Sequence, residues 1–204
     1  MRDLDKALAD ILAIRSQIAA ETTFRGYGPS AIAATGILAL FTAAIQALWL
    51  DASAQPLIFI AGWVATAVIA AAIIGAEMLG RSRRHHSGLA DAMIYNAIEQ
   101  FLPSAVAGAT LTLVLIRFAP EAFWMLPGVW QVLVSLGLFA LVRSMPRGVV
   151  LAGAWYFVAG FATLAAGSQT HALSPWLMGL PFVIGQFLLA AILHIAFGAA
   201  DAEN

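Results

Sequence analysis

The chain has 204 residues, 62% hydrophobic and 10% charged, with a formal net charge of −1. A soluble domain has roughly 45–50% apolar and about 25% charged residues, and the mean hydropathy here is +0.89. This composition excludes a soluble enzyme, a disordered tail and a nucleic-acid binder acting through a basic face, and the lack of cysteine excludes disulfides and thiolate chemistry.

The chain opens on an amphipathic pattern. Over residues 2–22, Leu4, Ala7, Ile11, Ile14 and Ile18 fall at heptad positions, and Leu8 and Leu12 widen the stripe. Asp3 and Asp5 suit a helix N-terminus. The pattern predicts a cytoplasmic helix whose face, Leu4, Leu8, Ile11, Ile14 and Ile18, docks a partner or a second copy, or else packs under its own bundle or on the membrane surface. Phe24-Arg-Gly-Tyr-Gly-Pro29 then turns the chain into the membrane.

A bilayer core needs about 20 apolar residues in a helix. Six runs qualify, at about 30–50, 56–80, 101–118, 123–142, 148–167 and 175–198. They are continuous rather than alternating, so helices are expected and not a β-barrel. The expected fold is all-α: six transmembrane helices as three hairpins over 30–200, the helix and turn of 1–29 before them, and a tail of 201–204 after them. The first run follows an acidic segment rather than a basic n-region, so it is expected to be a retained span.

Charge orients the spans. Arg2, Lys6, Arg15, Arg25, Arg81, Arg83, Arg84, Arg143 and Arg147 fall on one side, and Arg117 alone on the other. By the positive-inside rule both termini face the cytoplasm, as in a bacterial inner membrane. Trp49, Trp124 and Trp176 fall at the outer boundary, as an aromatic belt does. The segment Arg81–Gln100 reads as a second cytoplasmic amphipathic element leading into the third span. Its Arg81, Arg83 and Arg84 either contact anionic lipid headgroups, at about 1 kcal/mol each, or serve only to fix topology.

Weak internal repetition is present. Pro29-Ser-Ala-Ile-Ala-Ala34 recurs as Pro103-Ser-Ala-Val-Ala-Gly108, and Pro146-Arg-Gly-Val-Val-Leu-Ala-Gly153 echoes it. Each is expected to open a span from the same side.

Polar residues in spans are costly, so function is sought there first. Glu77, Glu99, His194 and Tyr27 are expected at one depth, near the cytoplasmic interface, as a polar patch or as simple anchors. Gln46, Gln131 and Gln186 line a path or bridge helices, with Thr42, Thr66, Thr110, Thr112, Ser135 and Thr163 adding hydroxyls. Ala67, Ala71 and Gly75 form one small-residue seam, and Gly153 and Gly160 another, both expected to be close packing.

The four histidines give no metal centre. His85 and His86 are adjacent and diverge on a helix, and His171 and His194 lie at opposite ends of the spans. No zinc motif, phosphate loop or catalytic constellation is present. No cofactor, metal or catalytic residue is therefore assigned, and direct nucleic-acid binding is not expected.

Ala7-Leu-Ala-Asp-Ile-Leu-Ala-Ile-Arg15, Phe24-Arg-Gly-Tyr-Gly-Pro29 and Asn96-Ala-Ile-Glu-Gln-Phe-Leu-Pro103 resemble a group of uncharacterised bacterial six-helix inner-membrane proteins. That group is associated with genes for small winged-helix transcription regulators. The resemblance implies no activity and transfers no site residue. What it implies is a regulatory or sensory role.

Three functions follow as expectations. The first is a non-enzymatic regulator or sensor in contact with membrane lipids and a cytoplasmic partner, or forming a homo-oligomer. The second is a small-molecule carrier or channel, which needs a path near Gln46, Gln131 and Gln186. The third is a lipid-modifying enzyme, which needs Glu77 and His194 side by side.

Overall fold

Hydrocarbon offers no water to an unpaired backbone group, so a spanning chain must satisfy its own N–H and C=O groups. The computed structural model describes residues 28–51, 55–85, 90–142 and 144–202, without the side chains of 81–93 and 199–202. Among them it uses helices only. These are α1 (Pro29–Trp49), α2 (Pro56–His85), α3 (Ala90–Phe118), a short 3-10 helix (Pro120–Met125), α4 (Leu126–Leu141), α5 (Val149–Thr170) and α6 (Pro175–Ala202). Six stretches are long and apolar enough to cross a membrane: Pro29–Trp49, Pro56–Gly80, Ile94–Phe118, Pro120–Leu141, Val149–Thr170 and Pro175–Gly198. The described residues are all-helical, and six apolar helices of this length fit a multi-pass membrane protein.

Local chemistry sets the helix ends. Pro29 and Pro56 each occupy the first position of their helix, where a missing N–H costs little. Ser174 precedes α6 and its hydroxyl accepts from the Leu177 N–H at 3.5 Å, a weak cap. His171 ends α5 in the left-handed conformation, φ 51°, and its N–H reaches back to the Gly167 carbonyl.

Two boundaries differ from the sequence reading. The expected cytoplasmic element and the third span are one continuous helix from Ala90, so Pro103 lies inside α3 rather than opening it. Proline there removes only one backbone donor, and its ring lies on an exposed face. The Pro29 and Pro103 segments are therefore not equivalent. The fourth crossing starts at Pro120, as a 3-10 turn before α4. Residues 1–27, with the amphipathic stripe and Tyr27, lie outside the described residues, as do the side chains of Arg81, Arg83 and Arg84.

Each helix packs on its neighbours in sequence, and α6 returns to pack extensively on α1. The six therefore close a ring in chain order, crossed by a contact between α4 and α6. Apolar burial is a weak force between helices already in lipid; close packing and interhelical hydrogen bonds replace it. The tightest approach is α4 on α5. A methyl added at Gly160 would stand 2.8 Å from the Gly128 carbonyl oxygen, and one at Gly128 would stand 2.7 Å from the Gly160 oxygen. Gly153 makes room for the Phe139 ring in the same interface.

The other small-residue seam corrects the sequence reading. Ala67 and Ala71 are exposed, and a methyl at Gly75 would meet nothing within 4 Å. That face of α2 meets no other helix, because α2 turns its Phe59, Trp63, Thr66 and Met78 side to its neighbours. Small residues permit close approach but do not cause it.

The core consists of two apolar clusters. At the end where α1 begins and α6 finishes, the terminal end, all six helices contribute: Ile32, Met78, Ile94, Leu138, Val149 and Leu193 are among the buried members. Toward the opposite end, Ala43, Phe59, Phe123, Leu126, Leu173 and Met178 belong to a second cluster.

Candidate functional site

The chemistry-bearing side chains gather around a proline inside α6. Pro181 lies inside that helix. Its missing N–H leaves the Leu177 carbonyl, one turn earlier, without its helical donor. In hydrocarbon an orphaned carbonyl is expensive, so neighbouring side chains must supply one. Gln131 on α4 does so: its Nε2 donates to the Leu177 oxygen at 3.0 Å. The Thr163 hydroxyl on α5 lies 3.4 Å from that oxygen and 3.4 Å from Gln131 Oε1. Gln131 is fully buried and Thr163 is buried.

The next carbonyls along α6 are held as well. Trp155 Nε1 donates to the Pro181 oxygen at 2.9 Å, and the Tyr156 hydroxyl lies 3.4 Å from the Phe182 oxygen. Tyr156 is fully buried, and the hydroxyl end of its ring lies against Gly185, where a Cβ would collide with it. The Tyr156 and Phe182 ring centroids are 5.2 Å apart. Gln186 interacts with the Tyr156 hydroxyl through its side chain. Helices α4 and α5 thus hold the proline-bearing part of α6 through four side chains.

A second set of bridges ties the other half of the ring. Gln46 Nε2 donates to the Phe59 carbonyl at 3.0 Å and crosses over Gly62, joining α1 to α2. One turn away the Thr42 and Thr66 hydroxyls lie 2.7 Å apart. Thr66 gives its proton to the Gly62 carbonyl, so Thr42 is the donor between them. Trp130 Nε1 donates to Thr112 at 3.0 Å, joining α4 to α3. Near the terminal end, Ser144 donates to Gln100, whose amide donates to Asn96.

The three glutamines of the sequence reading therefore fall on different bridges. Gln46 holds α2 and Gln131 holds α6. Gln186, midway along α6, keeps its Oε1 buried without a hydrogen-bond partner. Ser135 is fully buried and bonds its own turn at the Val132 carbonyl. Thr110 is exposed.

Of the expected terminal-end patch, Tyr27 lies outside the described residues. Glu77, beside Met78 of the terminal cluster, lays its side chain against Gly28, where an added methyl would fall 2.5 Å from Oε1. That puts a carboxylate at the N-terminus of α1, where the helix dipole favours negative charge. Glu99 and His194 are exposed on α3 and α6. Among the described residues, no group of three or more His, Asp or Glu side chains forms a metal site.

Trp63, Trp155 and Tyr156 were missed by sequence reasoning. The signal was present: a buried indole or phenol needs a partner, and an interior proline creates one. No family model, curated protein or solved structure matches the chain.

Proposed function

We propose that this chain is a non-enzymatic membrane regulator or sensor, with its cytoplasmic end docking a protein partner. The observation that carries this reading is a packed apolar core in two clusters, one of which joins all six helices at the terminal end. The buried polar side chains between are neutral Thr, Ser and Gln. A carrier built on a broken helix uses its freed carbonyls for substrate. Here Gln131 and Thr163 already occupy the Leu177 carbonyl. Glu77 lies at Gly28, at the start of α1, where the helix dipole gives a carboxylate a structural role.

The output side is the basic side. Nine of ten Lys and Arg residues lie there, which the positive-inside rule places in the cytoplasm of a bacterial inner membrane. The Leu4–Ile18 stripe is the docking element, and the resemblance to proteins associated with transcription regulators points the same way. Capture from native membranes in mild detergent tests this. Ile11→Asp puts an unpaired carboxylate into an apolar seam. It is expected to abolish retention of the partner while the six-helix body still inserts and purifies. Unchanged retention, or saturable solute flux through the protein in proteoliposomes, overturns the proposal in favour of a carrier.

A further inference from the structure

Of the six spans, the third is the least buried. At its terminal end α3 exposes Tyr95, Ile98 and Leu102. They stand at i, i+3 and i+7, one side of a helix, and the exposed Glu99 follows at i+4 on the edge of that side. Depth makes this face unusual. The span Ile94–Phe118 has 25 residues, about 37 Å of helix, against about 30 Å of hydrocarbon. The charges Glu99 and Arg117 lie 18 residues apart, about 27 Å, so they bracket that core. Tyr95 and Ile98 therefore sit at headgroup level, with Leu102 just beneath, which is the zone that a surface helix occupies.

The sequence holds a matching face. Ile11, Ile14 and Ile18 stand at i, i+3 and i+7, with Arg15 at i+4. The apolar spacing is the same and the charge is opposite. The length of chain allows the two to meet. Residues 1–27 lie outside the described residues, and the described chain starts at Gly28, against Glu77. Glu77 precedes Met78, which shares the terminal cluster with Ile94. The chain therefore enters α1 at about the depth of Tyr95. Neighbouring helix axes are about 8–10 Å apart, so α3 is about 20 Å from α1. The nine residues 19–27 span up to about 30 Å. Other exposed apolar faces at this end fit less well. On α5, Leu151 stands near the exposed Arg147, which repels Arg15, and on α6 Ile195 stands beside His194 with no acid.

We infer that residues 4–18 have a seat on their own bundle: Ile11, Ile14 and Ile18 cross the exposed terminal-end face of α3 at Tyr95, Ile98 and Leu102, with Arg15 beside Glu99. The inference rests on the reading of this stripe as the docking element. One face cannot serve two surfaces at once, so the seat on α3 competes with the protein partner and holds the stripe when no partner is bound.

The test is disulfide crosslinking of the full chain in native membranes, with copper phenanthroline as oxidant. The chain has no native cysteine. Ile11→Cys, Ile14→Cys and Ile18→Cys are each paired with Ile98→Cys, and in control chains with Leu151→Cys; both target positions are exposed. At least one pair with Ile98→Cys should close within a single chain, several times faster than the same residue with Leu151→Cys. Glu99→Lys turns attraction into repulsion and should slow that pair about two- to fivefold. Arg15→Glu in the same background should restore the rate. Equal rates at the two target positions mean that the stripe lies on lipid alone, and they overturn the inference. So do a disulfide formed only between two chains, and a rate that ignores both charge changes. Absence of the crosslink while Ile11→Asp still abolishes capture removes the seat and leaves the docking reading standing. A crosslink that follows the charges, with capture unchanged by Ile11→Asp, removes the partner and leaves the seat.

Discussion

Replacing Gln131 by Leu should destabilise the protein only as long as residue 181 is proline. The side chain is fully buried and gives the Leu177 carbonyl its shortest hydrogen bond, 3.0 Å. Leucine keeps most of the volume and the helix preference, so the loss is chiefly that bond. What is left is the Thr163 hydroxyl at 3.4 Å, long for an O–H···O contact, which is usually about 2.7–2.8 Å. A buried group left unmet costs about 1–3 kcal/mol. Hydrogen bonds between membrane helices average about 0.6 and reach about 1.7 kcal/mol. With the helical donor already missing, the upper part of that membrane range applies. We expect about 1.5 kcal/mol, close to tenfold in the folding equilibrium. Pro181→Ala returns an N–H to the same carbonyl. In that background Gln131→Leu should cost about 0.5 kcal/mol or less, a coupling of about 1 kcal/mol between the two sites. Reversible unfolding in mixed detergent–lipid micelles, run as a double-mutant cycle, measures it. Equal cost of Gln131→Leu in both backgrounds would refute the claim that the proline creates the need for the glutamine.

Other predictions use the same geometry. Gly160→Ala pushes a methyl to 2.8 Å from the Gly128 carbonyl oxygen and should cost about 1–3 kcal/mol as overpacking, whereas Gly75→Ala meets nothing and should be neutral or stabilise by up to about 1 kcal/mol through helix propensity. Thermal melts of the two variants side by side check the contrast. His171→Val puts a β-branched residue at φ 51° and should lower stability by about 1–2 kcal/mol, while His171→Asn should be tolerated, as the same melts will read. A single cysteine at Ser82 should be labelled by a membrane-impermeant thiol reagent only in inside-out vesicles, and labelling from outside intact cells reverses the orientation.

The helices were legible because a spanning segment must be apolar for about 20 residues and little else in this chain is. Their ends were legible where a proline or a charge marks them, as at Pro56 and Pro175. The start of α3 was not, because Pro103 reads as a beginning while an exposed helix face tolerates it. The seam on α2 misled for a related reason: Ala67, Ala71 and Gly75 describe what a helix allows, and only its neighbours decide what it touches. Gln46 and Gln131 could be singled out as costly in lipid, but their acceptors are backbone carbonyls on other helices, which no side-chain pattern records. Pro181 was the available clue, since a proline inside an apolar run names the carbonyl four residues earlier as needing a donor.

Because the chain has no native cysteine, the closed interior can be probed directly. Thr35→Cys on α1 and Ser135→Cys on α4 place near-isosteric thiols at two buried positions between the apolar clusters. A charged, water-soluble thiol reagent is applied to vesicles of both orientations, with a cysteine at the exposed Gln169 as reference. A ring closed at both ends predicts that neither buried thiol reacts from either side while the reference reacts from one. Reaction of Thr35→Cys or Ser135→Cys at a rate comparable to the reference, from either side, means that an aqueous path enters the bundle and contradicts the account.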